Sequence, residues 1–376
     1  MAPTIHVPVV EDYWNTAPAA RLVRTIEDRD GLAPVAQGWE ALGTTWDCPT
    51  QHHIWARAYA ETYAATARLH VVTVGPPQTP YAIAPLVTRR GERARLEALG
   101  VRDLDEPSDL LFAHEAALAE LADALVGLAQ PLWLPRLPAD SPAVAALQRA
   151  FRGRGLVYRS AAQSYPRIPL DAGWAEPERH FNAGRRSDLR RAERRAAAWG
   201  PLRYDILSPT PAEVPPLLDA MYRVEAAGWK GRVGSALGCD EARGAFFRRY
   251  APAAAARGIL RLCFLRVGGQ PAAVQLAVEC GQRFWLLKIG YDEQFARCSP
   301  GALLLLQTLR YSASRGLRSY EFLGTSQPWT RMWTDRYQAC VALRAYPWRA
   351  RAVATLARDA ARYAGIRVRR VLDGAA

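Results

Sequence analysis

The segment 259–324 restricts the fold more than any other part of the chain. Three apolar runs follow one another there: ILRLCFLRV (259–267), PAAVQLAVE (271–279) and RFWLLKIG (283–290). Gly268-Gly269 and Gly281-Gln282 separate them, junctions of the kind that close tight antiparallel hairpins. A loop, YDEQFARC, leads to SPGALLLLQTLRYSA, a helix beginning at 299, and SYEFLG (319–324) reads as one more strand. Such an order forms an antiparallel meander, crosses by a helix and returns a strand beside the meander.

The helix at 299 also carries the strongest chemical signal. Ser299 is a good N-cap, and Pro300 fits the first turn, where its missing N–H costs nothing. Gly301 and Ala302 lack bulk, so a phosphate group could approach free backbone N–H groups at the positive end of the helix dipole. A well-capped core helix without any ligand would show the same local sequence.

Around this segment the chain reads as two α/β units. Helices are expected at 36–64, 115–129 and after Asp140 or Ser141, with strands at 69–74, 81–87, 109–112 and 156–168. A Pro-, Gly- and Trp-containing stretch at 166–177 divides the units. Beyond it come a helix at 178–198, a strand at 202–207, a helix at 211–227 capped by Thr210, and a helix at 240–257. The expected organisation is 1–170, 171–346 and an Arg-rich tail at 347–376.

Charge and cysteine content remove several function classes. The formal charge is +13, but 184–195 (GRRSDLRRAERR) and the tail after 349 supply most of the excess. Lys230 and Lys288 are the only lysines among 49 basic residues, so they stand out from an arginine background. The six cysteines are never closer than 17 positions, and no C-x-x-C pair exists to begin a zinc or redox site. Motifs of serine hydrolases, zincins and P-loop enzymes are absent. No uncharged run reaches the length of a bilayer span, and residues 1–14 show neither basic flank nor apolar core, which points to a cytoplasmic protein.

Four ordered segments give a resemblance: RRSDLRRAERRAAAWG (185–200), EAAGWKGRVGSAL (225–237), LLKIGYDEQFARCSPGALLL (286–305) and YEFLGTSQPWTRMW (320–333). Together they resemble the GNAT (acyl-CoA N-acyltransferase) superfamily, more narrowly its CelD-like acetyltransferase subgroup, related to FemAB-like transferases. HVVTVGPPQTPYAIAPLV (70–87) and WLPRLPADSPAVAAL (133–147) look like that subgroup's N-terminal half. The resemblance implies tandem GNAT-like units with mixed, mainly antiparallel sheets, and N-acyl transfer from acyl-CoA (acetyl-CoA) to an amine without a metal. The acceptor would be a small molecule or a component related to cell-envelope or polysaccharide synthesis. A FemAB-like enzyme would instead take an aminoacyl-tRNA as donor, and a third reading is a non-enzymatic Arg-rich binding protein on this scaffold. Two departures stand out. The usual phosphate loop is Gln/Arg-x-x-Gly-x-Gly/Ala, whereas Arg297–Ala302 has Pro300 fourth and Gly301 fifth, and Trp329-Thr330 stand where the subgroup tends to have Tyr-Lys.

Residue roles follow. Arg297, Ser299, Gly301, Ala302 and Leu303 would hold the donor. Glu225 lies on the inward stripe of the 211–227 helix with Val214, Leu217, Leu218, Met221 and Tyr222, which suits a general base, although pairing with Lys230 would also account for it. Lys288, amid a strand of large apolar residues, needs a carboxylate or a ligand phosphate, and Glu321 or Asp292 could serve. Tyr291, Tyr311 and Tyr320 are candidate acids for the departing thiolate, with Tyr291 favoured by its place at a strand end. Glu225, Tyr291 and Glu321 are thus the candidates for catalysis, and Trp229, Lys230, Lys288, Asp292 and Trp329 for substrate. The stripe Arg186, Arg190, Arg194 is a solvated helix face or an acidic-partner surface, and the tail is a packing helix or a contact with an anionic membrane.

Overall fold

The computed structural model describes residues 22–46, 48–92, 95–234 and 236–373; for 44–46 and 365–373 only the backbone is described. The leader reading at residues 1–14 lies outside these residues. In chain order the first half contains β1 (Val23–Ile26), α1 (Ala36–Trp46), α2 (His53–Thr62), β2 (Ala67–Leu69), β3 (Val71–Val74), β4 (Ala82–Ala84), β5 (Leu86–Arg89), β6 (Leu96–Ala98), α3 (Val101–Leu104), β7 (Leu111–Phe112), α4 (Glu115–Gly127), β8 (Leu132–Pro138), α5 (Pro142–Phe151) and β9 (Gly155–Pro169). The second half adds α6 (Ala183–Ala197), β10 (Leu202–Leu207), α7 (Val214–Ala226), α8 (Trp229–Arg232), α9 (Glu241–Ala256), β11 (Leu260–Val267), β12 (Gln270–Cys280), β13 (Arg283–Tyr291), α10 (Pro300–Ser314), β14 (Ser319–Glu321), α11 (Pro328–Arg331), β15 (Tyr337–Pro347) and α12 (Ala350–Asp373).

Polar caps fix several helix starts. Ser141 Oγ, rather than Asp140, accepts from Ala143 N, Asn182 accepts from Arg185 N, and Asp240 from Arg243 N. Each satisfies an N–H that the helix itself cannot. The expected Thr210 cap does not form: Thr210 instead donates N–H and hydroxyl to Glu213, and α7 begins later, at Val214.

Two sheets result. One has four strands, β1-β3-β4-β7, and the other eleven, in the order β10-β11-β12-β13-β14-β9-β15-β8-β6-β5-β2. The β11–β12–β13 meander matches the sequence reading, and β14 returns in parallel beside β13. Only β13/β14 and β6/β8 are parallel pairs among the described strands, so the fold is tandem α/β with mainly antiparallel sheets.

The large sheet runs unbroken between the halves. β9 bonds to β14 at one end and to β15 along the rest, while β15 crosses back to pair with β8. Apolar packing is shared as well: Trp55 of α2 meets Phe246 and Tyr250 of α9 edge-on at 4.7 and 4.9 Å. Such edge-to-face pairs add to burial by about 0.5–1.5 kcal/mol each. In α12, Ala352 and Thr355 are buried, and Asp359 accepts from Tyr346 (2.6 Å) and Arg95 (2.6 Å), so the start of the tail helix is held against β15. No described helix is long and apolar enough to cross a membrane.

Candidate active site

The site arises where the large sheet comes apart. β13 and β14 pair over three residues only, Arg283–Trp285 against Ser319–Glu321. β13 then continues to Tyr291 with β12 alone, so its far edge from Leu286 onward has no strand partner. The β12/β13 register also slips here: Leu276 opposes Lys288 and Ala277 opposes Leu286, leaving Leu287 as an extra residue. A bulge of this kind re-aims side chains and frees backbone groups.

A cleft of about 680 Å3 occupies the gap. Its walls are β13 from Leu286 to Tyr291, the first turn of α10, the stretch Phe322–Thr325, α11 and the α7–α8 corner, with Leu104, Asp105 and Glu106 from the first half. Backbone strain concentrates on it. Of five non-glycine residues with positive φ among the described residues, Asp105 (58°), Ser299 (46°) and Leu323 (54°) line the cleft. Left-handed backbone at such residues costs of order 1–3 kcal/mol each, and persists where surrounding structure enforces it.

At the α10 start, Ser299 is not the cap its type suggested. Its side chain makes no capping bond, and its carbonyl accepts from Ala302 N (3.0 Å) and Leu303 N (3.2 Å). Gly301 faces space: a Cβ there would meet nothing nearer than Tyr291 Cδ1 at 4.0 Å. Bare backbone at a helix N-terminus, opening on a cleft, fits a phosphate group.

Two ion pairs hold the polar side of the cleft, and both lysines of the chain are in them. Lys230 Nζ donates to Glu225 Oε1 (2.7 Å) and to the Ile289 carbonyl (2.6 Å), while Leu237 N donates to Glu225 Oε2 (2.8 Å). Burial lowers the Lys230 pKa, against the pull of Glu225 and with help from Lys288. Gly290 permits this arrangement, because a Cβ there would sit 2.9 Å from Glu225 Cα. The second pair joins Lys288 Nζ to Glu106 Oε1 at 3.0 Å, with the Phe247 ring 5.2 Å from the ammonium.

The structure brings nine of the thirteen expected site residues to the cleft: Glu225, Trp229, Lys230, Lys288, Tyr291, Ser299, Gly301, Ala302 and Trp329. Four lie elsewhere. Leu303 turns into the core, 2% exposed, and Arg297 is exposed outside the lining, its carbonyl accepting from Arg195. Asp292 caps the turn 293–298 by accepting from Gln294 N and Nε2, each at 2.9 Å. Glu321 is wholly buried, accepting from Ser319 Oγ (2.5 Å) and Arg283 (3.2 Å), with Arg167 at 3.7 Å. Neither Asp292 nor Glu321 is the partner of Lys288. Tyr311 and Tyr320 are likewise away from the cleft, bonded to Arg261 and Glu279, and to Thr308 and Gln275.

Sequence reasoning missed Asp105, Glu106, Arg243 and Gln275, which also line the cleft. The acidic run DLDEPSD at 103–109 was the one local signal, but its meeting with β13 is set by tertiary structure.

Residues 183–331 match the family model described as an acetyltransferase (GNAT) domain. No curated protein matches the chain. Among solved structures, FemX is 10% identical, with 86% of this chain and 97% of that one covered and a TM-score of 0.52. The C-terminal domain (DUF2156) of a candidate lysylphosphatidylglycerol synthetase from Agrobacterium fabrum is also 10% identical, with 88% and 95% covered and a TM-score of 0.51. A conserved protein of unknown function from Bacteroides thetaiotaomicron VPI-5482 is 12% identical, with 86% and 99% covered and a TM-score of 0.50. These likenesses extend the shared fold across both halves, and the family match falls on the half that supplies the split strands and the bare helix start. The chain thus carries a region, residues 183–331, that is similar to a GNAT acetyltransferase domain.

Proposed function

We propose that the protein moves an acyl group from acyl-CoA to a primary amine of a small-molecule or cell-envelope acceptor, in the cytoplasm. The observation that carries this reading is the parting of β13 from β14 beside the open first turn of α10. The free edge of β13 can hydrogen-bond an amide-bearing arm as a further strand would, and can polarise a thioester carbonyl with its N–H groups. Gly301 leaves room for a pyrophosphate at the helix start. Tyr291, at the end of β13 and beside Gly301, is placed to protonate the departing thiolate. Glu225 has both oxygens engaged, so in this reading it holds Lys230 and the Leu237 turn in place.

Calorimetry with acetyl-CoA tests the proposal. Wild type should bind and Gly301→Val should not, because the added isopropyl group would fill the phosphate position while meeting no protein atom at its Cβ closer than 4.0 Å. Losing the charge-assisted bonds of one phosphate group amounts to at least about 100-fold in affinity. Equal affinity in both proteins would remove α10 from the donor site.

A second donor is favoured by one observation. Arg190, Arg191 and Arg194 are exposed on α6, whose Arg185 lies 5.5 Å over the ring of Trp333 in the cleft wall. An aminoacyl-tRNA could use that face. Its binding would weaken by about 0.7–0.9 log units per phosphate contact per decade of salt, far more than that of a seated acyl-CoA.

A further inference from the structure

Two buried carboxylates line the cleft, and they differ in one respect. Glu225 uses both oxygens within the protein. Glu106, 4% exposed, uses only one: Oε1 accepts from Lys288, and Oε2 makes no hydrogen bond to the protein. It enters from the first half, directly after α3 and the left-handed Asp105, 182 positions from its lysine. A buried charged oxygen without a partner costs more than the roughly 1–3 kcal/mol of a neutral group, so one that lines an open cleft is a place where a ligand group completes the bonding.

We propose that Glu106 receives the acceptor's ammonium group and removes its proton. The inference rests on the acyl-donor reading of α10 and β13. Lys288 fixes the carboxylate through Oε1, leaving Oε2 for an N–H of a primary ammonium. One proton passes to Oε2 and the freed lone pair forms the N–C bond at the thioester carbonyl. The C–S bond then breaks, Tyr291 gives its hydroxyl proton to the thiolate and regains one by taking the second nitrogen proton, and Glu106 releases its own to solvent. Burial raises the Glu106 pKa above the usual carboxylate value; Lys288 and Arg136 oppose the rise and Asp105 adds to it. A raised carboxylate is a stronger base for this task.

Glu106→Gln preserves size and a carbonyl oxygen for Lys288 but accepts no proton. With acetyl-CoA as donor, transfer to ethanolamine and putrescine, both ammonium ions at neutral pH, is followed by thiol release. The variant should lose about 100-fold or more on these amines, the usual scale of a missing general base. Hydroxylamine is uncharged at neutral pH and needs no such base, so its acylation should fall by less than about fivefold. Glu106→Asp should recover part of the alkylamine rate. Equal losses on hydroxylamine and the alkylamines, or no loss on either, would overturn the assignment. Calorimetric binding of acetyl-CoA separates the two readings: binding retained by both proteins leaves the kinetic result to decide on Glu106, whereas no binding by wild type defeats the donor reading beneath it.

Discussion

Strand β9 and strand β13 meet their neighbours in opposite ways. β9 is paired with β15 from Gly155 to Pro166 and with β14 from Arg167 to Pro169, so the seam between the halves is closed along its length. β13 loses β14 after three residues and keeps a bare edge for six more. Both regions bury carboxylates. At the seam, Glu321 is shared by Ser319, Arg283 and Arg167. In the cleft, two lysines each hold one oxygen of a glutamate. The three donors at the seam all share Glu321 Oε1, so Glu321 Oε2 is as bare as Glu106 Oε2; what differs is that Glu106 lines a cleft a ligand can enter and Glu321 does not.

The largest effect that would sharpen this contrast is at Glu321. Glu321→Ala strands Arg283 and Arg167 beside a buried hole, and should lower unfolding free energy by about 3–5 kcal/mol. Acetyl-CoA affinity of the folded fraction should not change, because Glu321 does not line the cleft. Denaturant titration and calorimetry on the same preparation check both. Lost binding at unchanged stability would break the distinction between the two regions.

A pH effect of the closed region comes next. His52, 2% exposed, has no hydrogen bond at either ring nitrogen, and burial, aided by Arg257, pushes its pKa down to about 4. The folded imidazole resists protonation, so the unfolded chain binds more protons between about pH 4 and 6.5, and stability falls as pH drops through that window. The fall due to His52 is up to about 3 kcal/mol, and none of it remains to be gained above pH 6.5. His53 and His70 shift in the same direction, so His52→Leu should reduce the slope without removing it. Urea midpoints at pH 4.5 and 7.5 for both proteins measure the difference.

Much of the closed framework was legible because it is local. Continuous apolar runs and glycine junctions placed β11, β12 and β13 to within a residue or two, and the inward stripe of α7 put Glu225 among buried neighbours, 4% exposed. The cleft was legible only where a local feature marks it, as at Gly301 and at the two lysines. What the sequence hid is non-local. Lys288 pairs with Glu106 because β13 and the loop after α3 come together in the tertiary fold, and no spacing rule reaches 182 positions. Likewise β15 carries alternating apolar residues, but that it inserts between β8 and β9 depends on edges left open by the first half. Ser299 shows the other limit: residue type favoured a cap, and the backbone entering Pro300 took a left-handed turn instead.

The smallest expected effect tests whether the cleft extends to the arginine face of α6. Arg190 and Arg194 are exposed, whereas Arg186 is anchored by donating to the Phe181 carbonyl at 2.6 Å, so the informative variant is Arg190→Glu with Arg194→Glu. Leu189, Ala192 and Ala196 keep the buried side of the helix, and stability should change by less than about 0.5 kcal/mol. Exposed charges act weakly beyond about 8–10 Å at physiological salt, so acetyl-CoA affinity should stay within about twofold of wild type. Nucleic acid would behave otherwise. Reversing two charges on a phosphate-binding face removes two counterion-releasing contacts and adds repulsion, so tRNA binding would lose at least about 1.4 units of salt slope. Unchanged acetyl-CoA binding, together with tRNA binding that is absent or indifferent to the reversal, would confine the donor to the gap between β13 and β14. A collapse of transfer activity at unchanged stability would instead join the α6 face to the cleft as one extended donor surface.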